Sequence, residues 1–399
     1  MQAVFGSSAS KRFPVDLFFE IKGSSTIMPA IDINGKFLTG GLNGVHRTAA
    51  HYSEQLIKRM AVEHEVRLLA PPGAVLTPEM AHLNITSVAG RWGRGQGWEM
   101  ITLPRQAKGR LLVNLCNLAP LLHANSVAMI HDAQIFLHPK DYSPRQVMAY
   151  KRLLPWIGRR ARRIITVSEY ARQTLARYRI APFDKIDVVH NGTDHLLTVE
   201  PDRRILERHG LGRGEYVLAI GTAKHYKNLS RVFDALREAL PGGRKLVVAG
   251  GPAASTYSAK GWQPPENTVF TGFVTDGELR ALYESAAVFV FPSLTEGFGL
   301  PPVEAMHFGT PVVSARAGAM PEVCGDAVLL VDPDDPRAFR SAVLSILEND
   351  LVSEDLAGKG RARAQQLTWE HAGERLYAII SSLLEEDARN PPCDRRASP

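Results

Sequence analysis

Cysteine is scarce in this chain: Cys116, Cys324 and Cys393 are the only three in 399 residues. They stand far apart and form no CxxC pair, which argues against a disulfide framework and a cysteine zinc site and for a reducing compartment. Long hydrophobic runs are also absent. No stretch of about 18 apolar residues occurs, so no membrane-spanning helix is expected. The opening residues MQAVFGSSASKRFP lack the apolar core of a secretory signal, and a cytoplasmic location follows as the expectation. Internal repeats and low-complexity tracts are missing too. Excess charge is small, with 47 Lys and Arg against 41 Asp and Glu. A net +6 suits polyanionic ligands, nucleic acid or an anionic membrane and selects none of them. No aromatic stacking platform accompanies the charge, so nucleic acid is not an expected partner.

What is present is an ordinary globular composition, 45% hydrophobic, in a chain long enough for two domains. Short apolar runs recur at 65–70, 126–132, 163–168 and 186–191, and again at 216–221, 245–250, 268–273, 286–292, 310–315 and 327–331. Each ends in Gly, Pro, Asp or Ser, and amphipathic stretches lie between them. Continuous apolar strands alternating with helices mean parallel sheets covered on both faces. Ten strands exceed one comfortable sheet, so the expected fold class is α/β with two doubly wound domains. The boundary falls in the polar stretch 193–213, giving an N-terminal domain 1–192 and a C-terminal domain 193–368. A last helix, 369–385, carries Trp369, Ala372, Leu376, Ile380 and Leu383 on one stripe, available to pack back on the first domain. The first 25 or so residues and 387–399 are expected to be poorly ordered ends.

The most informative stretch is Ser293-Leu-Thr-Glu-Gly-Phe-Gly-Leu-Pro-Pro-Val-Glu-Ala-Met306. Two carboxylates, Glu296 and Glu304, are separated by seven residues that include Gly297, Gly299 and Pro301. An apolar strand precedes this segment and a helical pattern follows it, with prolines suited to a first turn. Free N–H groups at such a helix start make an anion site, and glycines let a phosphate approach. Carboxylates on either side accept hydrogen bonds from sugar hydroxyls. A phosphate site flanked by hydroxyl binders describes a nucleotide sugar.

Ligands of open α/β sheets lie at strand carboxyl ends, and other strand ends here are suggestive. Gly221-Thr222-Ala-Lys224-His-Tyr-Lys227-Asn228 offers two lysines to a diphosphate, or is a solvated loop. Phe37-Leu-Thr-Gly-Gly-Leu-Asn-Gly44 resembles a phosphate-approaching glycine loop without GxGxxG or GKS/T, and reads equally as a plain turn. Ile130-His131-Asp132 places a histidine at a strand end. Gly250-Gly251 and Thr271-Gly-Phe273-Val274 would grip a base through backbone groups, or simply punctuate strands. Asp332-Pro-Asp334-Asp335 contains an Asp-x-Asp, but its prolines make it a turn rather than a metal site. Ser168 reads as a helix N-cap and not a nucleophile.

On these residues the chain resembles glycosyltransferase family 4, retaining enzymes of the two-domain GT-B fold whose Rossmann-like domains face a central cleft. Glu296-Gly-Phe-Gly-Leu-Pro-Pro-Val-Glu304 matches the family's E-x7-E motif, and Gly221-Thr with Lys227-Asn228 matches its lysine-bearing loop. His131-Asp132, Thr166-Val-Ser-Glu-Tyr170, His190-Asn-Gly192 and Val331-Asp-Pro-Asp-Asp-Pro336 match further. Asn34-Gly-Lys-Phe-Leu-Thr39 with Gly44-Val-His-Arg47 is similar to bacterial polysaccharide mannosyl- and rhamnosyltransferase members. The resemblance implies that Glu304 holds the nucleotide ribose and Glu296 the donor sugar. It implies that the amides of Gly297, Phe298, Gly299 and Leu300 meet sugar and phosphate, that Lys227 binds the diphosphate, and that His131 faces the sugar from the opposite domain. Thr222 stands where many members carry a basic residue, and Lys224 is the expected substitute.

The implied activity is transfer of a mannose-, rhamnose- or glucose-type hexose from a GDP- or UDP-linked donor to a glycan or polyprenyl-linked acceptor in polysaccharide biosynthesis, without a metal or other cofactor. A GT-B sugar-nucleotide epimerase and a non-catalytic nucleotide-sugar-binding protein are the alternatives. The stretch 145–179 holds ten basic residues and only Glu169 as an acid, with Leu153, Leu154, Trp156 and Ile157 among them. It makes an anionic membrane surface, at the inner face of the cell membrane, a candidate partner. The opposing reading is a solvated helix face whose apolar side packs on its own sheet.

Overall fold

The computed structural model describes residues 30–40, 44–75 and 83–389. The expectations for the first 25 residues, for the chain beyond 389 and for positions 41–43 of the first glycine loop lie outside the described residues.

Thirteen strands form two sheets among these residues. The first contains β1 (Ile31–Asn34), β2 (Val66–Ala70), β3 (Ile85–Ser87), β4 (Leu111–Asn114), β5 (Ser126–Met129), β6 (Arg163–Thr166) and β7 (Ile186–Val188), in the order β3-β2-β1-β4-β5-β6-β7. The second contains β8 (Tyr216–Ile220), β9 (Lys245–Ala249), β10 (Thr268–Gly272), β11 (Val288–Phe291), β12 (Val312–Ala315) and β13 (Leu329–Val331), in the order β10-β9-β8-β11-β12-β13. Every pairing between these strands is parallel. The order reverses between β1 and β4 in one sheet and between β8 and β11 in the other. Those reversals open crevices at the strand carboxyl ends. In the second sheet they set the loop after β8, with its lysines, beside the loop after β11, with its E-x7-E motif.

Burial explains which strands the sequence revealed. All four residues of β11 (VFVF) are buried, as a two-faced parallel strand requires. Strand β1 is equally buried but reads IDIN, with Asp32 fully enclosed. Arg67 clamps that carboxylate with two bonds of 2.8 Å, and Arg110 adds a third of 2.9 Å. The internal charge hides β1 from an apolar-run reading. Strands β3 and β4, also additional to the ten expected, are only three and four residues long.

The helix Gly44–Met60 lies under the first sheet with Tyr52, Leu56 and Met60 buried. The last helix, Trp369–Arg389, packs on it. Trp369 meets Tyr52 edge-on at 5.3 Å between ring centroids, and Arg59 pairs with Glu370. An added Cβ at Gly373 would sit 2.7 Å from Gln55 Cβ, so the bare glycine allows the helices to touch. The stretch 193–213 is not the solvated connector that its polarity suggests: Leu196, Ile205 and Leu211 are buried. Beside it, Thr193 N donates to Leu367 O at 2.9 Å, so the two crossings between domains run side by side.

The basic stretch also divides. Arg162 and Arg163 are drawn toward the last helix, Arg162 bonding Asp387 at 2.6 Å and Arg163 lying 3.9 Å from Glu386. Arg172 stacks 3.8 Å over Phe183. Leu154 and Ile157 pack inward on their own domain. Facing out from the helix Pro144–Arg160 are Arg145, Met148, Arg152, Trp156 and Arg159, a single stripe by helical spacing.

Candidate active site

The E-x7-E loop is shaped by two glycines. Gly299, at φ 87°, is the left-handed N-cap of the helix Leu300–His307, whose first turn holds Pro301 and Pro302. Gly297 lies against the first domain, where an added Cβ would stand 2.4 Å from His131 O and 3.0 Å from Asp132 Cβ. Other bonds cross the same interface. Ser168 caps the helix Glu169–Arg177 through Ala171 N, as its sequence position suggests, and its Oγ also donates to Gly297 O. Gln134 Nε2 donates to Thr295 O at 2.8 Å. Glu322 reaches from the second domain to accept from Glu169 N at 2.8 Å, Tyr170 N at 3.0 Å and His190 Nε2 at 2.9 Å. Burial pushes the Glu322 carboxyl up, but His190 and those two amides outweigh it and hold it below the usual range.

Lys227 and Glu296 meet here, Nζ to Oε1 at 2.6 Å. The lysine loop is pinned from the opposite domain, because Asp141 accepts from His225 N at 2.9 Å and Tyr226 N at 3.1 Å. Lys224 is exposed, with Nζ 4.9 Å over the Tyr142 ring and 5.6 Å over Tyr226. Lys227 Nζ lies 5.4 Å over the same Tyr226. Two cations therefore flank one aromatic ring at the cleft. Asn228, in the left-handed region at φ 56°, donates to Pro333 O. Asp332 accepts from Asp334 N and Asp335 caps the next helix through Arg337 N, so both serve turn and cap geometry.

His131 is buried, and burial pushes its imidazole down to about 4, leaving it neutral. Its Nε2 lies 2.9 Å from Leu115 O; a carbonyl only accepts, so Nε2 carries the proton. Its backbone faces Gly297, while one ring nitrogen is committed to its own domain. Next to it, burial and the nearby Glu296 raise Asp132 to about 6 against a backbone hydrogen bond from Gln134.

Glu304 is also buried, and burial raises it to about 7, opposed by Arg47 and by the Tyr283 hydroxyl, which donates at 3.1 Å. His195 Nε2 stands 3.5 Å from Glu304 Oε1. Burial and the neighbouring Arg47 hold His195 neutral, so this contact is not an ion pair. Arg47 bonds Asp276 across the domains at 2.8 Å.

The remaining expected residues scatter around this centre. Gly44 is exposed in the first turn of its helix, one turn before Arg47. Thr222 is partly buried, and its Oγ1 accepts from Lys224 N. Phe273 is 87% exposed, whereas Val274 packs partly against the core. The Phe298 ring is buried 5.9 Å from His190, which leaves only its backbone for a ligand. Leu300 is partly buried as the first helical residue. Arg47, Tyr142, His195, Tyr226, Tyr283 and Glu322 do not stand out in the sequence. Only Arg47 and Tyr226 lie inside recognisable motifs, so motif spacing carries a signal for those two alone.

The family model described as Glycosyltransferase Family 4 matches residues 42–195, and the one described as Glycosyl transferases group 1 matches residues 202–363. O-antigen chain mannosyltransferase B of Escherichia coli is 32% identical over 265 residues, which are 62% of this chain and 67% of that protein. The chain belongs to the glycosyltransferases. O-antigen chain mannosyltransferase RfbU of Salmonella typhimurium is 27% identical over 231 residues, 57% of this glycosyltransferase and 62% of the relative. Among solved structures, Anabaena HepE in complex with UDP and glucose superposes with TM-score 0.67 at 18% identity, covering 89% of this chain and all of HepE. WaaG, a glycosyltransferase involved in lipopolysaccharide biosynthesis, gives TM-score 0.63 at 15% identity, covering 88% of this chain and 99% of WaaG. These likenesses establish the GT-B fold.

Proposed function

We propose that this glycosyltransferase is a retaining hexosyltransferase of polysaccharide synthesis. It takes a mannose-type hexose from a GDP- or UDP-linked donor to a hydroxyl of a lipid-linked glycan. The observation that carries the reading is the convergence of Lys227 and Glu296, 2.6 Å apart, at the β8/β11 switch point beside the start of the helix Leu300–His307. Charge that grows on a departing diphosphate meets Lys227, Lys224 and the amides of residues 297–300 there. Those cations and N–H groups supply the stabilisation without a metal ion. Glu304 takes the ribose hydroxyls, and Glu296 and the neutral His131 take the donor sugar. Thr222, Gly44 and the backbone of Phe273 and Val274 edge the donor site. Front-face attack, with the leaving phosphate receiving the acceptor proton, preserves configuration without a protein nucleophile. The named relatives favour transfer over epimerisation, and mannose among hexoses.

The outward stripe of the helix Pro144–Arg160 supports docking on an anionic membrane surface. Met148 is 53% exposed and Trp156 44%, and Leu122, 79% exposed, follows Leu121, whose carbonyl accepts from Trp156 Nε1. They alternate with Arg145, Arg152 and Arg159, a pairing of apolar anchors and cations suited to a lipid headgroup layer.

Thermal stabilisation measured across GDP, UDP, ADP, TDP and their sugars tests the donor assignment. A ligand at 100 times its Kd stabilises by about 2.7 kcal/mol. One base should stand out, with its sugar form active as well. No stabilisation by any of them would refute the reading.

A further inference from the structure

Beyond the donor residues lies an inner cavity of about 150 Å³, on the first-domain side of Asp132. Asn117, Asp132, Tyr142, Gln146 and Tyr150 line it, and Ile135 and Leu154 give it an apolar base. Several of its polar groups have capacity left over. Asn117 spends its Oδ1 on His131 N at 2.8 Å, and its Nδ2 makes no hydrogen bond among the described residues. Gln146 spends its Oε1 on the capping box with Ser143, and its Nε2 has no such bond. Asp132 spends Oδ1 on Gln134 N at 3.0 Å and leaves Oδ2 unbonded. The Tyr150 hydroxyl is likewise without a hydrogen bond there. Two amide donors, one carboxylate acceptor and one hydroxyl thus converge on one small space.

Asn117 is held in place by an unusual backbone. Its φ of 62° lies in the left-handed region, and its backbone N donates to Met129 O. Asn is among the few non-glycine residue types that tolerate this region, so the turn fixes the point from which its side chain leaves. Tyr142 forms the partition toward the donor side, because Lys224 Nζ of the lysine loop lies 4.9 Å over its ring. It also lines a second, larger groove of about 790 Å³ with Lys140, Val147, Met148, Lys151 and Arg152. Tyr142 thus borders both the inner cavity and the outer groove.

We infer that the inner cavity seats the terminal hexose of the acceptor glycan, with Asn117, Gln146 and Tyr150 reading its hydroxyls and Asp132 holding the one that attacks. The inference rests on the transferase reading above and names the acceptor side of it. Amide donors beside a carboxylate match the donor and acceptor capacity of neighbouring sugar hydroxyls. Asp132 is the member of the set that borders the E-x7-E loop, its Cβ 3.0 Å from where a Cβ on Gly297 would stand. In the transfer, the oxygen held by Asp132 Oδ2 bonds to the anomeric carbon of the donor. The bond from that carbon to the phosphate oxygen breaks, its electron pair leaves with the diphosphate, and the hydroxyl proton passes to a departing phosphate oxygen. The remaining sugars continue past Tyr142 into the outer groove.

The test uses the full chain and an alkyl α-mannoside as probe. Saturation-transfer NMR reads glycoside binding without turnover, and thermal shift with nucleotide reads the donor site separately. Gln146→Glu keeps the oxygen that caps the helix and removes the amide donor; Tyr150→Phe removes one hydroxyl. Each should weaken glycoside binding by about tenfold, the worth of one hydrogen bond, and leave nucleotide stabilisation unchanged. Asp132→Asn should bind glycoside within a few-fold of wild type and lose transfer through kcat. A silent wild type, or undiminished binding when Gln146→Glu and Tyr150→Phe are combined, overturns the assignment. Loss of nucleotide stabilisation in Asp132→Asn overturns it as well, by moving Asp132 to the donor side. Failure of the transferase reading has a different signature, the absence of stabilisation of wild type by any nucleotide.

Discussion

Replacing Glu304 by Gln should make the empty protein more stable above neutral pH while weakening its grip on the donor. Burial raises this carboxyl from its ordinary 4.5 to about 7. Between those values the folded protein holds a proton that the unfolded chain has released, so native stability declines as pH rises through that window. A tenfold difference in proton affinity between the folded and unfolded chains corresponds to about 1.4 kcal/mol, so the full decline is about 3 kcal/mol, reached by pH 8. Glutamine does not titrate, and its amide oxygen still accepts from the Tyr283 hydroxyl. The variant should therefore match wild type near pH 4 and exceed it by up to about 3 kcal/mol at pH 8. At roughly 2 to 4 °C per kcal/mol for a domain of this size, Tm at pH 8 should rise by roughly 6 to 12 °C. Calorimetry of both proteins across pH 4 to 8 measures the difference, and groups common to both cancel. Added nucleoside diphosphate should stabilise wild type more than the variant, because a ribose hydroxyl donates more strongly to a carboxylate than to an amide. A difference in Tm independent of pH, or a less stable variant at pH 8, would refute the claim that an ionised carboxylate is held there against its burial.

Lys227→Ala removes the cation 2.6 Å from Glu296 and should lower kcat by on the order of 100-fold with a folded protein; near-normal kinetics would remove Lys227 from the site. Glu322→Gln weakens the clasp on Glu169 N, Tyr170 N and His190, and small-angle scattering should show an expanded particle. Because Glu322 is held below the ordinary carboxyl range, wild type should keep that clasp above the usual value and expand only as pH falls through the lowered one; identical profiles for the two proteins would contradict it. Excess EDTA should leave turnover intact, since Lys227, Lys224 and backbone amides meet the diphosphate charge; loss restored by Mg²⁺ would show a metal at work. Sedimentation with vesicles should rise with anionic lipid, fall with salt, and drop when Arg145, Arg152 and Arg159 become Ser. Equal binding to neutral vesicles would refute docking through that stripe.

The second domain is easier to read from sequence than the first, and the reason is chemical. The two strands at its switch point, YVLAI in β8 and VFVF in β11, are continuous hydrophobic runs, and its motif carries glycines and prolines whose roles are local. In the first domain β1 encloses Asp32, neutralised by Arg67 from β2 and Arg110 from just before β4, partners 35 and 78 residues away. No window of sequence shows that pairing. The site divides in the same way. Glu296, Glu304 and Lys227 announce themselves by spacing and glycine context. Arg47, His195, Tyr283 and Glu322 gain their roles only through contacts between separate elements, and Tyr142 matters because Lys224 Nζ lies over its ring across the cleft. Charge counting also misleads: Arg162 and Arg163 belong to the packing of the last helix and lie beyond the end of the helix that carries Arg145, Arg152 and Arg159.

The central claim is retaining transfer by the Lys227–Glu296 centre. It is tested most directly by incubating the protein with the nucleotide sugar that stabilises it most, carbon-13 labelled at the anomeric position, and an alkyl α-mannoside in EDTA. The anomeric signals are then followed by NMR. An α-linked donor should give an α-linked glycoside and free nucleoside diphosphate, with none formed by Lys227→Ala at comparable times. A product of inverted configuration, or a new sugar nucleotide formed without use of the glycoside, would contradict the account.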